Sequence, residues 1–438
     1  MLRHARQMRY DPLGFLVDCA DEQGDVVEFP VPGQRVFFVN DPAAALRVLQ
    51  GNHPAYGKDT VQYRSLALVT GSGLLVSEAD VWLRGRRMVQ PAFHQRTLAA
   101  LADHVAEATQ RLAALWQARP PGSEVDVDAA MMRTTLEVVG ASLFSTDLGS
   151  SATELVRAVT GALDQVVSRA RSPLAPPLRW PTPGNRRLRR AVATLDERVA
   201  QMVAARRPGG PSGAGEDLLG LLLAAAEEDP PARRPSGRAV RDEVVTLIVA
   251  GHETVASALT WAWWLVAGAP AVAAELARES RHVLDGRAAT LSDYPHLPYA
   301  RAVLDEALRL YPPAWVVTRR VLRDDVLAGT RVPAGSMVIV SPYVLHRHPL
   351  LWTAPEAFDP SRFADQPGGS GRPGYLPFGA GPRMCVGREF ALVEGVLVLA
   401  ALAGRFTLAR RPGQVVRAHP SVTVRPAGGL RLVLGRAG

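Results

Sequence analysis

Phe378-Gly-Ala-Gly-Pro-Arg-Met-Cys385-Val-Gly387 is the stretch on which the reading of this chain turns. It holds one of only two cysteines among 438 residues. The residues before Cys385 make a Pro/Gly-rich loop, and those after it, from about 386 to 405, form an apolar run with helical spacing. At such a junction the helix N-terminus and nearby positive charge, here Arg383 and Arg388, favour the thiolate form of a cysteine. The alternative is a small buried thiol with no chemistry of its own.

Bulk properties narrow the classes around that stretch. No linker divides the chain, so residues 1–438 are read as a single large domain. Its helix-rich core is expected over about 79–310 and 386–405, and its β-rich parts over about 25–40, 316–340 and 406–434. The composition, 47% apolar, is enough for a sizeable core. The net charge is +8, and Lys58 is the only lysine. The arginines are interleaved with acids and form no aromatic–basic stripe, which argues against nucleic acid and suits an acidic protein partner. Cys19 and Cys385 lie far apart, with neither a CxxC pair nor zinc spacing, so no disulfide framework is expected. No signal peptide is read at the N-terminus. Residues 255–274 carry no charge over 20 positions, long enough to span a bilayer, but Gly268 and Pro270 interrupt them. They read as a buried core helix plus the start of the next, so no transmembrane segment is expected.

In chain order, 11–19 reads as a short helix, and 25–28 with 35–39 as a β-hairpin. Asp41-Pro42 opens a helix, with Asp as N-cap. Residues 56–77 read as loop-rich. From Ala79 the pattern turns helical, with Trp82 and Arg86 one turn apart; they are either a half-buried Trp beside a surface Arg or two donors aimed at one anion. Helices follow over 97–116, 127–144 and 151–169. A Pro-rich loop over 171–184 then precedes an amphipathic helix over 185–207 whose Arg186, Arg187, Arg189 and Arg190 read as a solvated face. Residues 208–215 and 229–237 read as turn-rich connectors. Further helices are expected over 271–284 and 299–311, with strands around 316–321, 331–332 and 337–340. Residues 356–363 read as turn-rich, and 422–424 with 430–434 as a strand pair.

A long helix over about 238–267 carries Ala250-Gly251-His252-Glu253-Thr254 in its middle. Glycine costs about 1 kcal/mol against alanine there, and a buried carboxylate needs a partner or water. The Thr hydroxyl can bond back one turn and bend the helix. Together they make either a kinked core helix or a polar notch where a small ligand and water sit. Glu306-Ala-Leu-Arg309 places an acid and a base three apart, which means little if it lies on the surface.

Taken together these residues resemble the cytochrome P450 family, the haem-thiolate monooxygenases. The family's Cys-loop pattern, F-x-x-G-x-R-x-C-x-G, is met by Phe378, Gly381, Arg383, Cys385 and Gly387. Its E-x-x-R is met by Glu306 and Arg309, with Arg362 as the partner arginine. Its oxygen-groove pattern is met by Ala250, Gly251, Glu253 and Thr254, and its W-x-x-x-R by Trp82 and Arg86. The resemblance runs the whole chain in order. It implies a mainly α fold with small β-sheets, a triangular prism of about a dozen helices around a buried haem b.

The resemblance also implies roles. Cys385 would be the thiolate ligand of the haem iron, favouring O–O cleavage. Phe378 and Gly379 would line the sulfur side with Gly381 and Gly387, the glycines allowing close backbone approach. Trp82, Arg86, Arg319 and Arg383 would hold the haem propionates, Arg319 being preferred to Arg320 from its spacing to Asp324. Ala250 and Gly251 would border the haem, and Glu253 and Thr254 would relay protons to dioxygen. Glu306, Arg309 and Arg362 would form a structural ion network. Two electrons must come from outside, as NAD(P)H through a ferredoxin reductase and a ferredoxin docking on the Cys385 side. A monomeric, cytoplasmic enzyme of the soluble bacterial kind is expected.

The pocket is expected from Gln62, Leu75, Val245, Val249, Ala250, Trp315, Val316, Val317 and Leu430, with Arg64 and Arg171 as its possible charges. That lining implies a large apolar substrate. Several segments, among them 62–75, 250–261 and 307–320, are similar to the carotene-hydroxylating branch known from thermophiles. This suggests hydroxylation of the β-ionone ring of β-carotene to zeaxanthin. The rivals are a fatty-acid or terpenoid hydroxylase, a peroxygenase (whose relatives replace the acid–alcohol pair that is intact here) and a non-enzymatic haem sensor or carrier.

Overall fold

Many helices begin where the sequence supplies an acceptor for the first free N–H groups. Asp11 accepts from the Gly14 N–H at the head of Pro12–Gln23. Asp41 accepts from Ala44 at the head of Pro42–Leu46, Asp126 from Ala129 at the head of Val127–Phe144, and Thr182 from Asn185 at the head of Pro183–Ala205. The computed structural model describes residues 7–8, 10–31, 33–149, 152–171, 176–206, 217–228, 237–369 and 372–437.

The architecture is mainly α with small β-sheets, as the sequence reading expects. The helix Gly237–Val266 runs through the middle and is nearly all buried. Val127–Phe144, Pro298–Leu310 and Arg388–Ala403 pack against it. Near its C-terminal end Trp261 stacks on Tyr311 with centroids 3.8 Å apart and planes 4° apart, which ties it to the end of Pro298–Leu310. Such a pair contributes about 0.5–1.5 kcal/mol beyond its burial. By length and composition this helix passes as a membrane span, yet 83% of its most apolar window is buried inside the protein. A break at 267–269 separates it from Pro270–Leu284, as Gly268 and Pro270 foretell.

Five strands form the larger sheet in the order β1 (Val26–Val31), β2 (Gln34–Val39), β8 (Met337–Val340), β5 (Val317–Val321), β3 (Tyr56–Gly57). β1 and β2 are the expected hairpin. Two small pairs, β6 (Asp325–Leu327) with β7 (Thr330–Val332) and β10 (Ala418–Pro420) with β11 (Val424–Pro426), stand apart from it.

Three readings need correction. Residues 56–77 are not mostly loop: Val61–Thr70 is a helix, with Ser65, Leu66, Val69 and Thr70 buried on one face and Gly71 ending it at φ +60°. Leu218–Glu228 is a helix that the reading passed over. Residues 422–424 and 430–434 do not pair. β12 (Arg431–Arg436) sits between β4 (Glu124–Asp126) and β9 (Phe406–Ala409), while β11 folds back on β10. The Pro426-Ala-Gly-Gly turn therefore carries the chain from one sheet to another. The expected connector 208–215, most of 229–237 and residues 172–175 of the Pro-rich loop lie outside the described residues. Arg186, Arg187, Arg189 and Arg190 are exposed on Pro183–Ala205, whose opposite face buries Leu188, Leu195 and Val199.

Candidate active site

The Cys loop is a set of tight turns closed by its own backbone. The Gly379 N–H donates to the Leu376 carbonyl, Met384 N–H to Gly381, and Cys385 N–H to Phe378 at 3.0 Å. Gly381 has φ +69°, and a Cβ there would come within 2.4 Å of the Leu49 carbonyl and 2.8 Å of the Gln50 Cα. No other residue fits. The helix Arg388–Ala403 starts three residues after Cys385, with Gly387 as its cap.

Cys385 presents accessible surface at the tip of this loop, while the surrounding protein still desolvates its thiol. Burial raises the thiol pKa, opposed by the Gly387 N–H and the charges of Arg86 and Arg388. Arg86 donates to the Met384 carbonyl at 2.9 Å, and the Arg388 guanidinium lies 6.0 Å from the Phe378 ring.

Behind this loop Glu306 and Arg309 have no exposed surface and pair through two bonds of 2.7 and 2.8 Å. Arg309 spends its remaining N–H groups on the carbonyls of His346, Pro355 and Ala357, so all five donors are used. Glu306 also accepts from the Asp359 N–H and meets Arg362 at 3.4 Å. His346, which the sequence reading missed, joins this network to the loop: its Nδ1 meets the Arg309 carbonyl and its Nε2 accepts from the Leu376 N–H at 2.8 Å. Those partners require the neutral tautomer protonated on Nδ1, and burial lowers the ring pKa to about 3.

Above the loop lies a cluster of cations. Arg383 stacks 4.2 Å from the Trp82 ring and donates to the Ser77 carbonyl. Arg319 is buried, donates to Tyr63 Oη at 3.1 Å, and lies close enough to lower the pKa values of Arg383 and Lys58. Arg319, not the more accessible Arg320, is thus the residue of its strand that faces this cluster. Lys58 is the second residue the reading missed as a site group. It is buried, donates to the Leu75 carbonyl at 2.6 Å, and is pushed well below its ordinary pKa by burial and then by Arg319 and Arg383. Its one available signal was being the only lysine in the chain. Glu78 is the acid that faces this cluster. Buried like charges with so little compensation are what an anionic ligand completes. The donor set therefore fits a haem, whose carboxylates these cations would hold and whose iron the accessible thiol would ligate.

On the long helix, Ala250, Gly251 and Thr254 are the residues between Asp242 and Val266 that are half-buried rather than buried. They fall at i, i+1 and i+4, one helical face. Thr254 Oγ1 donates back to the Ala250 carbonyl at 2.8 Å, and a Cβ at Gly251 would meet Val139 at 3.0 Å. Glu253 points elsewhere. It is buried, Oε1 accepts from Thr423 Oγ1 at 2.9 Å, and Oε2 has no protein partner among the described residues. Burial raises its pKa to about 7, against the opposing effects of Thr423 and Arg425.

Of the expected pocket residues, Gln62, Leu75, Ala250, Val316 and Val317 keep partial exposure. Val245 and Leu430 have no accessible surface, and Val249 and Trp315 little. Trp315 Nε1 donates to the Ser421 carbonyl at 3.0 Å. Arg64 is exposed and paired with Asp59, and Arg171 donates to the Pro420 carbonyl.

Comparison with known proteins gives one consistent result. The sequence matches the family Cytochrome P450 over residues 2–430. It is 36% identical over 432 residues to cyclooctatin synthase of Streptomyces melanosporofaciens, covering 98% of this chain and 92% of that one. It is 31% identical over 439 residues to the chloroplastic carotene epsilon-monooxygenase of Arabidopsis thaliana, covering 94% of this chain and 79% of that one. The fold superposes on the crystal structure of CYP175A1 from Thermus thermophillus with a TM-score of 0.78 and 30% identity, covering 99% of this chain and 97% of that one. The chain belongs to the cytochrome P450 family and is a cytochrome P450 monooxygenase.

Proposed function

We propose that this monooxygenase inserts one oxygen atom of O2 per turnover into a C–H bond of a large apolar substrate, specifically a β-ionone ring of β-carotene, two turnovers, one on each ring, giving zeaxanthin. The observation that carries the site is the accessible Cys385 thiol, desolvated by its surroundings, beside a cluster of under-compensated cations. Bound haem supplies the oxygen activation, and thiolate ligation sets its electronics. Cys385 would be its ligand, and Arg86, Trp82, Arg383, Arg319 and Lys58 would bind and orient the haem carboxylates. Phe378, Gly379, Gly381 and Gly387 shape the thiolate side, while Glu306, Arg309 and Arg362 hold the loop in register.

Ala250 and Gly251 leave room along the long helix, and Glu253 and Thr254 move protons. Glu253, with a pKa raised to about 7, can both hold and release a proton near neutrality. Thr254 Oγ1 donates its O–H in a hydrogen bond to the Ala250 carbonyl, which leaves its oxygen lone pairs to accept from a donor beside it.

The carotene reading is supported by the similarity to a carotene monooxygenase and by the apolar character of Leu75, Ala250, Val316 and Val317. The higher identity to cyclooctatin synthase supports a second reading, a terpenoid of another kind. Electrons come from an external donor. We assign NAD(P)H, a ferredoxin reductase and an acidic ferredoxin that meets the arginines around Cys385, in the cytoplasm. Product analysis with β-carotene and a ferredoxin system tests the substrate: hydroxylated carotene is expected. No carotene turnover alongside good turnover of another terpene or a fatty acid would replace this reading.

A further inference from the structure

The C-terminal segment 421–425 is fastened along the long helix in a regular way. Thr423 Oγ1 donates to Glu253, while the Val424 carbonyl accepts from Ser257 Oγ at 2.6 Å and from Trp261 Nε1 at 2.8 Å. Positions 253, 257 and 261 are successive turns of one helical face. Alternate residues of the segment, Ser421, Thr423 and Arg425, turn polar groups toward neighbouring acids. Ser421 Oγ donates to Asp164 Oδ1 at 3.3 Å, and Arg425 Nη2 donates to Asp128 Oδ2 at 2.7 Å. Asp164 is exposed, on the helix Ala152–Ala170; Ser421, Thr423, Asp128 and Glu253 are buried.

This region collects unpartnered polar atoms. Glu253 Oε2, Asp128 Oδ1, Arg425 Nε and His252 Nε2 are buried without a protein hydrogen-bond partner among the described residues. Asp128, Arg425 and Asp164 all act electrostatically on Glu253, and Arg425 acts on His252. Such atoms are almost always satisfied in proteins, so water is their natural partner. A structural seam would leave them filled by apolar groups or by one another.

We propose that segment 421–425 is the proton path of this site, leading from Asp164 at the surface through Ser421, water held among Asp128, Arg425 and Glu253, and Thr423 to Glu253. Each hydroxyl and water passes one proton forward as it takes one from behind, so none changes charge. The proton enters at the Asp164 carboxylate from solvent and leaves from Glu253 toward Thr254. Besides passing the proton, Thr423 sets which Glu253 oxygen is held and which is available. Arg425, ion-paired with Asp128, places its positive charge near the Glu253 carboxylate without pairing with it directly. The groups facing Glu253 are Arg425 and Thr423 from the C-terminal segment, Asp128 from Val127–Phe144, Asp164 from Ala152–Ala170, and His252 from its own helix. The proposal rests on the relay role given above to Glu253 and Thr254.

The test uses the haem-loaded enzyme and two readouts: the pH titration of the Glu253 carboxyl band in infrared difference spectra, assigned by its loss in Glu253→Gln, and product formed per electron consumed in water and in deuterium oxide. Thr423→Val is expected to move the titration midpoint upward, since the hydroxyl now favours the carboxylate. It should also lower product per electron about tenfold, the equivalent of one hydrogen bond to a charged group, with Thr423→Ser restoring both. Asp164→Asn is expected to leave the midpoint nearly in place but to enlarge the solvent isotope effect on product formation. An intact carbon monoxide difference spectrum shows that each variant keeps its haem site. If Thr423→Val and Asp164→Asn match the wild type in both readouts while Glu253→Gln is impaired, the path is wrong and the relay stands. If Glu253→Gln itself is unimpaired, the relay falls and takes the path with it.

Discussion

Arg309 and Arg425 are both largely buried arginines facing carboxylates, and they are used in opposite ways. Arg309 has every N–H donor committed: two to Glu306 and three to backbone carbonyls of 346, 355 and 357. Arg425 has one short bond to Asp128, a long one to Thr160 at 3.4 Å, and an Nε without a partner among the described residues. The first arrangement admits no water and no alternative. A network that is fully satisfied in a low-dielectric interior is rigid and specifies one geometry. The second leaves capacity for water and for a change of protonation. The contrast separates the half of the site that fixes the Cys loop from the half that handles protons.

The largest effect is expected where satisfaction is complete. Arg309→Lys keeps the charge but strands Glu306 and up to three carbonyls, and should destabilise by about 3–5 kcal/mol. Denaturant unfolding measures it, with haem retention lost in parallel; a loss below about 1 kcal/mol would mean that the network is not what holds the loop. On the other side, Glu253→Gln should leave stability nearly unchanged and cut coupled product formation on the order of 10²-fold, the scale of a lost proton-transfer group. Product and hydrogen peroxide yields per electron report this. Equal losses of stability in the two variants would erase the distinction between the halves.

The cation cluster gives a sign test of intermediate size. Lys58→Met removes a charge that Arg319 and Arg383 repel. It should stabilise the haem-free protein by about 1 kcal/mol and weaken haem retention by about tenfold, opposite signs that haem-transfer rates and thermal melts separate. Destabilisation of both forms would show that Lys58 is only a packing residue.

Glu394 provides the cleanest case, its effect small at acidic pH and growing as pH rises. It sits on Arg388–Ala403 with 1% exposure and neither oxygen partnered among the described residues, and burial alone pushes its pKa well up. The folded state therefore holds a proton that the unfolded chain releases above its ordinary value of about 4.5. Stability from this group is present below that value and is lost as pH rises toward the folded pKa. Glu394→Gln should show little change near about pH 5 and a growing advantage toward about pH 9, read from melting temperature against pH. A pH-independent difference would mean that Glu394 is not protonated in the fold.

Much of this is legible in the sequence because the informative residues break local rules in recognisable ways. A Gly-rich loop before Cys385, a Glu–Thr pair inside an apolar helix and an Asp-Pro helix start each carry their own physical reason. The helices over 127–144 and 237–266 are visible from periodicity almost to the residue. What is not legible depends on contacts between distant segments. Thr423 is an ordinary polar residue until β11 folds back on β10 and sets it against Glu253, 170 positions away. His346 acquires meaning only where it bridges Arg309 and Leu376. The helix Val61–Thr70 reads as loop because its buried face includes Ser65 and Thr70, which blur the apolar pattern.

Cys385, with its accessible and partly desolvated thiol, is the residue on which the site depends. The reduced, carbon monoxide-treated protein is predicted to show the strongly red-shifted Soret band of thiolate-ligated ferrous haem, and Cys385→His to lose it while still binding haem. A red-shifted band that survives in Cys385→His would contradict the assignment.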